Sequence, residues 1–125
     1  MVRDDKSPMC SPVSTLIFAC FGAADVGEIS DKVARQLTRD CVGKMFCLSG
    51  VGGKVEPIIN ATKSASKIIA IDGCNLDCVK KCLQQAGFDG FQHLRITDMD
   101  MEKGKTPATE ENITEAVKKA NELLN

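Results

Sequence analysis

One pattern constrains this chain more than any other. A short apolar run, a turn and a stripe of apolar residues at helical spacing recur four times in succession. Thr15, Leu16, Ile17 and Phe18 form a continuous run of the kind found in strands buried on both faces. After the small turn Gly22-Ala23-Ala24, Val26, Ile29, Val33, Ala34 and Leu37 share one helical face, with Asp31, Lys32, Arg35 and Gln36 opposite. Asp25 stands three residues before Glu28, a capping-box spacing that gives Asp25 the N-cap role. The second unit predicts a strand over Val42–Leu48 and a flexible loop over Ser49–Gly53. A helix follows, with Val55, Ile58, Ile59, Thr62 and Ala65 inward and Pro57 in its first turn. The third predicts a strand over Lys67–Asp72, then a helix capped by Asn75 with Leu76, Val79, Leu83 and Ala86 as its apolar stripe. The fourth predicts a strand over Phe91–Thr97 and a polar loop over Asp98–Lys105. Thr106 or Thr109 then caps a last helix with Ile113, Ala116, Val117, Ala120 and Leu124 inward.

Strands alternating with helices imply an α/β fold, here a small three-layer αβα sandwich around a mostly parallel four-stranded sheet. Right-handed crossovers leave few topologies, and the order 2-1-3-4 is expected. In such sheets ligands sit outside the carboxyl ends of the strands, at the switch in strand order. In this chain that switch falls between strands one and three. One domain is expected over residues 13–125. Residues 1–12, with Pro8, Pro12, several charges and no periodicity, are expected to form a flexible tail.

Charge excludes some partners. Lys plus Arg is 16 and Asp plus Glu is 17, so there is no basic excess to neutralise phosphates, and neither a nucleic acid nor a membrane is an expected partner. No apolar run approaches the roughly 20 residues that span a bilayer. The run Val13–Ala24 lacks the positive leader of a secretory signal, because Asp4 and Asp5 stand beside Arg3 and Lys6. A cytoplasmic location with reduced thiols is the expectation.

Seven cysteines are the chemically informative residues, and their odd number excludes a fully paired disulfide framework within one chain. Cys20 closes the first predicted strand, Cys47 lies near the end of the second and Cys74 follows the third. In the order 2-1-3 those three ends are neighbours about 4.8 Å apart. Cys78, four residues beyond Cys74, falls in the first turn of the next helix and can face the same edge. Four thiolates from three β-α junctions suit tetrahedral zinc. Cys41 is expected to pack as a small apolar residue early in strand two, and Cys10 to be an exposed tail thiol. Cys82 extends the C-x3-C run along the helix and reads as core, with a spare ligand or a resolving thiol as alternatives.

Other groups carry less. Gly50–Lys54 resembles an anion cradle but lacks the G-x4-G-K-[ST] spacing of a phosphate loop, since Val55 follows Lys54. A phosphatase reading of Cys20 requires C-x5-R, and Val26 stands where Arg is needed. His93, the single histidine, is expected at the surface. Asp72 is expected either as a turn residue or as an acceptor supporting the cysteine ligands. Asp98 and Asp100 fall in a loop on the ligand-binding edge of the sheet.

The segment Ile71-Asp72-Gly73-Cys74-Asn75-Leu76-Asp77-Cys78-Val79-Lys80-Lys81-Cys82-Leu83 resembles the DGC-domain family of zinc-binding proteins, named for Asp-Gly-Cys. The resemblance extends to Ala19-Cys20-Phe21-Gly22-Ala23-Ala24-Asp25-Val26-Gly27 and to Cys47-Leu48-Ser49-Gly50-Val51-Gly52-Gly53. It departs at Asn75, where Pro is common in the motif. The resemblance implies zinc on Cys20, Cys47, Cys74 and Cys78, and it supplies no reaction.

Two functional classes follow. One is a zinc-binding protein whose site is structural if four thiolates close it and reactive or exchangeable if a position stays open. The other is a thiol redox or sulfur-transfer enzyme using Cys74, with Cys78 or Cys82 as the resolving thiol. Four cysteines also permit an iron–sulfur site.

Overall fold

The computed structural model describes residues 14–125. The expected tail, Cys10 and Val13 lie outside the described residues. Four parallel strands form one sheet in the order β2-β1-β3-β4. They are β1 (Thr15–Ala19), β2 (Lys44–Met45), β3 (Lys67–Asp72) and β4 (Gln92–Arg95). The helices are α1 (Asp25–Arg39), α2 (Leu48–Gly52), α3 (Glu56–Lys63), α4 (Cys78–Gln85) and α5 (Glu110–Leu124). A single 3-10 turn, Ile96–Met99, follows β4.

The sheet is apolar on both faces because each face is covered. Ile17, Ala19, Ile69, Ile71 and Leu94 pack against α1 and α5. Leu16, Phe18 and Ala70 point the other way, onto Val51 of α2 and Val79 and Leu83 of α4. Alternate residues of β1 and β3 therefore feed two cores, which explains why these strands read as unbroken apolar runs. The predicted stripe of α1 is the buried face of that helix, and Val26, Ile29, Val33, Ala34 and Leu37 are fully buried. Thr109 caps α5 by accepting from the Asn112 amide at 3.2 Å.

Several boundaries differ from the sequence expectation. The second strand shrinks to two residues, because β2 is an edge strand paired only through Leu16↔Lys44 and Ile17↔Met45. Cys41 is not in that strand; it sits in a left-handed turn at φ 60° after α1. The predicted Gly-rich loop is mostly the short helix α2, whose Gly50 lies flat against Ile58, where a Cβ would come within 2.7 Å of that side chain. Burial against α3 thus overrides the weak helix propensity of glycine. The last strand gives way at Ile96 to the 3-10 turn. Val55 and Leu76, expected inward, are 47% and 58% exposed, because α3 and α4 begin after them.

One contact fixes the ligand-binding edge. Gly73 follows β3, and a Cβ there would lie 2.8 Å from both the Val26 carbonyl carbon and the Gly27 nitrogen. The start of α1 therefore rests directly on the end of β3, which only glycine permits. Gly73→Ala is expected to cost about 2–3 kcal/mol, since backbone on both sides must move. Gly52→Ala, whose Cβ would meet only the Cys82 sulfur at 3.4 Å, is expected to stay within about 1 kcal/mol of wild type. Urea unfolding of the two reduced variants measures the difference.

Candidate functional site

Cys20 immediately follows β1, Gly73-Cys74 follows β3, and Cys78 opens α4. The three thiols, from three separate segments, line one largely apolar cavity of about 490 Å³ at the carboxyl edge of the sheet, between the β1 and β3 ends where strand order switches. Gly22, Ala23, Val26 and Leu76 complete much of its wall. Backbone contacts hold the cysteines in place. The Cys20 amide donates to the Ile71 carbonyl at 2.9 Å, extending the β1–β3 ladder by one step. The Ser30 hydroxyl donates to the Cys20 carbonyl and, at 2.8 Å, to the Gly27 carbonyl.

Cys47 is placed differently. It lies beyond β2 as the N-cap of α2, its sulfur accepting from the Gly50 amide at 3.3 Å. It lines the adjacent cavity with Phe21, Met45 and Phe46. The structure thus brings Cys20, Cys74 and Cys78 to one cavity and leaves Cys47 at its neighbour. Cys82 is half-buried one turn along α4 from Cys78, its sulfur 3.9 Å from the Leu48 carbonyl oxygen. Burial pushes the Cys82 thiol up. Burial also pushes the Cys78 thiol up, and the nearby Cys20, Asp72 and Cys74 add to that resistance against a negative charge.

Asn75 does not cap the helix after β3. Residues 75–77 form a turn, Asp77 takes a left-handed conformation at φ 54°, and α4 starts one residue later. The helix start is satisfied from the strand instead. The Asp72 carboxylate, 1% exposed, accepts from the Val79 amide at 2.7 Å and the Lys80 amide at 3.1 Å. His93, expected at the surface, is drawn in beside it, its Nε2 2.9 Å from Asp72 Oδ2. Arg95 grips Asp77 with Nε at 2.8 Å and Nη2 at 2.7 Å. The Arg95 guanidinium holds the Asp77 carboxyl below its ordinary range.

Asp72, Asp77 and His93 are also the one trio of possible ligand atoms, among the described residues, within 4.8 Å of one another. No trio of thiols is drawn that close. The acidic trio is already engaged, by two helix amides and a guanidinium. Its observable work is to seat α4, and therefore Cys78, on the ends of β3 and β4.

Two participants went unread in the sequence. Lys103 brings its ammonium 3.6 Å from the Cys74 sulfur and lines the thiol cavity. The loop that carries it is tied down by Asp25, whose Oδ1 accepts from the Gly104 amide and Oδ2 from the Thr106 amide, each at 2.9 Å. Asp25 is the first residue of α1 rather than its N-cap, which is Ala24. The only sequence signal for this tie was an acidic residue at a helix start, a pattern that local capping explains equally well.

The Gly104 and Thr106 amides hold the Asp25 carboxyl below its ordinary value. A lowered carboxyl favours the tied loop above the ordinary carboxylate range and loses that preference as pH falls through the folded value. On acid titration followed by NMR, the Gly104 and Thr106 amide shifts are expected to move with one shared midpoint below the ordinary aspartate range. In Asp25→Ala that shared step is expected to vanish. Independent midpoints for the two amides would break the assignment.

No described helix is long and apolar enough to cross a membrane. The chain is 34% identical over 88 residues to the anaerobic and virulence modulator AnvM of Pseudomonas aeruginosa strain PAO1, an alignment covering 70% of this chain and 67% of that protein. No solved structure matches the chain. The DGC domain model matches residues 16–120, a span holding β2, β3, β4, all of β1 but Thr15, and Cys20, Cys47, Cys74 and Cys78. This chain therefore belongs to the DGC domain family.

Proposed function

We propose that this protein binds zinc at the carboxyl edge of its sheet, with Cys20, Cys74 and Cys78 as the primary ligands and Cys47 as the fourth. The observation that carries the reading is the convergence of three thiols, from the β1–α1 and β3–α4 junctions, on one cavity. Soft thiolate donors in that number suit zinc among common divalent ions. The surroundings fit a cation as well. Burial, and after it the nearby Cys20, Asp72 and Cys74, oppose ionisation of Cys78, and a divalent ion at the cavity would offset that opposition. A tetrahedral centre with Zn–S near 2.3 Å brings its sulfurs to about 3.8 Å from one another. Binding would therefore draw the cysteines closer than they stand, with Cys47 moving furthest.

When bound, zinc supplies positive charge that keeps the thiols ionised and, where a position is open, a Lewis-acid centre. The chain's own residues do the rest. Asp72 and His93 hold the first turn of α4 so that Cys78 faces the cavity. Lys103 offsets part of the negative charge of a multi-thiolate centre. Gly73 lets the Cys74 segment lie against α1.

The redox alternative draws less from this geometry. Cys74 stands four residues ahead of α4, outside the first turn where a helix dipole acts most strongly.

Elemental analysis of the full reduced chain, purified without oxygen, tests the reading. The expected result is about one zinc per chain, lost on chelation, with affinity falling at least about tenfold in Cys74→Ser and Cys78→Ser. Cys82→Ser is expected to keep wild-type metal content. Equal loss from Cys82→Ser would overturn the ligand set. Absence of zinc would overturn the reading itself; a Cys74–Cys78 or Cys74–Cys82 disulfide would then favour thiol redox chemistry, and bound iron an iron–sulfur site.

A further inference from the structure

We propose that the thiol cavity also binds a small organic anion with an apolar body, and that Lys103 is the residue that selects its charge. This rests on the reading of that cavity as the functional site, though not on which metal it holds. A volume of about 490 Å³ lies within the range of small-molecule pockets. Its lining includes Ala23, Ala24, Val26 and Leu76 beside the three cysteines. Lys103 is the one charged residue in that lining, and no carboxylate shares it.

The charge arrangement around the loop is asymmetric. Glu102 pairs with Lys105 at 3.6 Å, and Asp98 pairs with Arg95 at 3.3 Å. Lys103 has no ion pair among the described residues; its ammonium meets the Cys74 sulfur. The backbone at Lys103 is also held in place. Met101 and Thr106 are buried on either side of it, and the Thr106 hydroxyl donates to the Glu102 carbonyl at 2.8 Å. Asp25 ties the Gly104 and Thr106 amides to the start of α1. The tied loop thereby presents the Lys103 stem at the cavity, so that the side chain's own freedom, and not the loop's, is what binding must restrict.

The apolar half of the ligand follows from Leu76. It is 58% exposed at the cavity rim, and a bound hydrocarbon or ring would remove that surface from water. An anion without an apolar body would leave Leu76 uncovered, and a neutral molecule would leave Lys103 unmatched. The class that satisfies both is a monoanion such as a small carboxylate.

Benzoate and benzamide form a nearly isosteric pair that differs in charge. Each is titrated into the ¹⁵N-labelled full chain under reducing conditions, once as purified and once after chelation. Benzoate is expected to give saturable shifts at the Gly22, Gly27, Gly73 and Gly104 amides, with affinity about tenfold above that of benzamide. Lys103→Met is expected to bring benzoate down to the level of benzamide, and Lys103→Arg to keep most of the preference. Asp25→Ala, which frees the loop, is expected to weaken benzoate several-fold. Equal affinities for the two probes, an unchanged benzoate affinity in Lys103→Met, or no saturable shift up to about 20 mM each overturn the proposal. Charge-selective binding in a chain that holds no zinc would sink the metal reading and leave this one standing. A zinc-loaded chain that ignores benzoate would do the reverse.

Discussion

Everything at the ligand-binding edge depends on the backbone contact between Gly73 and the first turn of α1. A side chain there would stand 2.8 Å from the Val26 carbonyl carbon, a distance that packed atoms do not share. Because no side chain intervenes, the end of β3 and the start of α1 meet directly. Cys20, two residues before the Gly22 turn, and Cys74, next to Gly73, are then brought onto one cavity. The Asp-Gly-Cys sequence thus has a physical division of labour. Asp72 holds the incoming helix by its amides, Gly73 permits the close approach, and Cys74 brings a thiol to the cavity.

The fold was legible because both of its periodicities are undiluted. β1 and β3 are paired in register from Thr15↔Lys67 to Ala19↔Ile71, and both faces are buried, so their sequences stay apolar at consecutive positions. The stripe of α1 survives intact because its polar face meets water along the whole length. Strand order 2-1-3-4 follows once crossovers are right-handed and the β1–β3 pair is central. The segment 46–53 was misread for a reason of its own. Local glycine content favours a loop, whereas burial of Gly50 under Ile58 and of Val51 in the core favours a helix. Nothing within that stretch reveals the second influence, because Ile58 belongs to α3.

The site was legible only as far as single β-α junctions carry it. Cysteines at strand ends can be counted along the chain, and three of the four predicted ligands do line one cavity. Cys47 was the exception because β2 ends early and the chain turns into α2, which uses the Cys47 sulfur as a cap. The groups that support the thiols were not legible, since each acts across a long separation. His93 meets Asp72 only because the register of β3 and β4 sets Asp72 opposite Arg95 and places His93 two residues before it. Lys103 and Asp25 are connected through a loop whose sequence is merely polar.

Charge explains why such support is needed. Cys20, Cys74 and Cys78 sit around a cavity whose walls are largely apolar, next to a carboxylate that is itself buried. Burial, and after it the nearby Cys20, Asp72 and Cys74, resist ionisation of Cys78. Of the cations nearby, Arg95 is committed to Asp77 and Asp98, and Lys81 favours ionisation of Cys78 without lining the cavity. His93 is committed to Asp72. Lys103 is the exception, delivered from the far side of the cavity on a loop that Asp25 restrains. A site built this way favours added positive charge, which a metal ion would supply to ionised thiols and which Lys103 offers to an anion while the thiols are neutral. The metal reading and the anion reading therefore draw on the same ammonium.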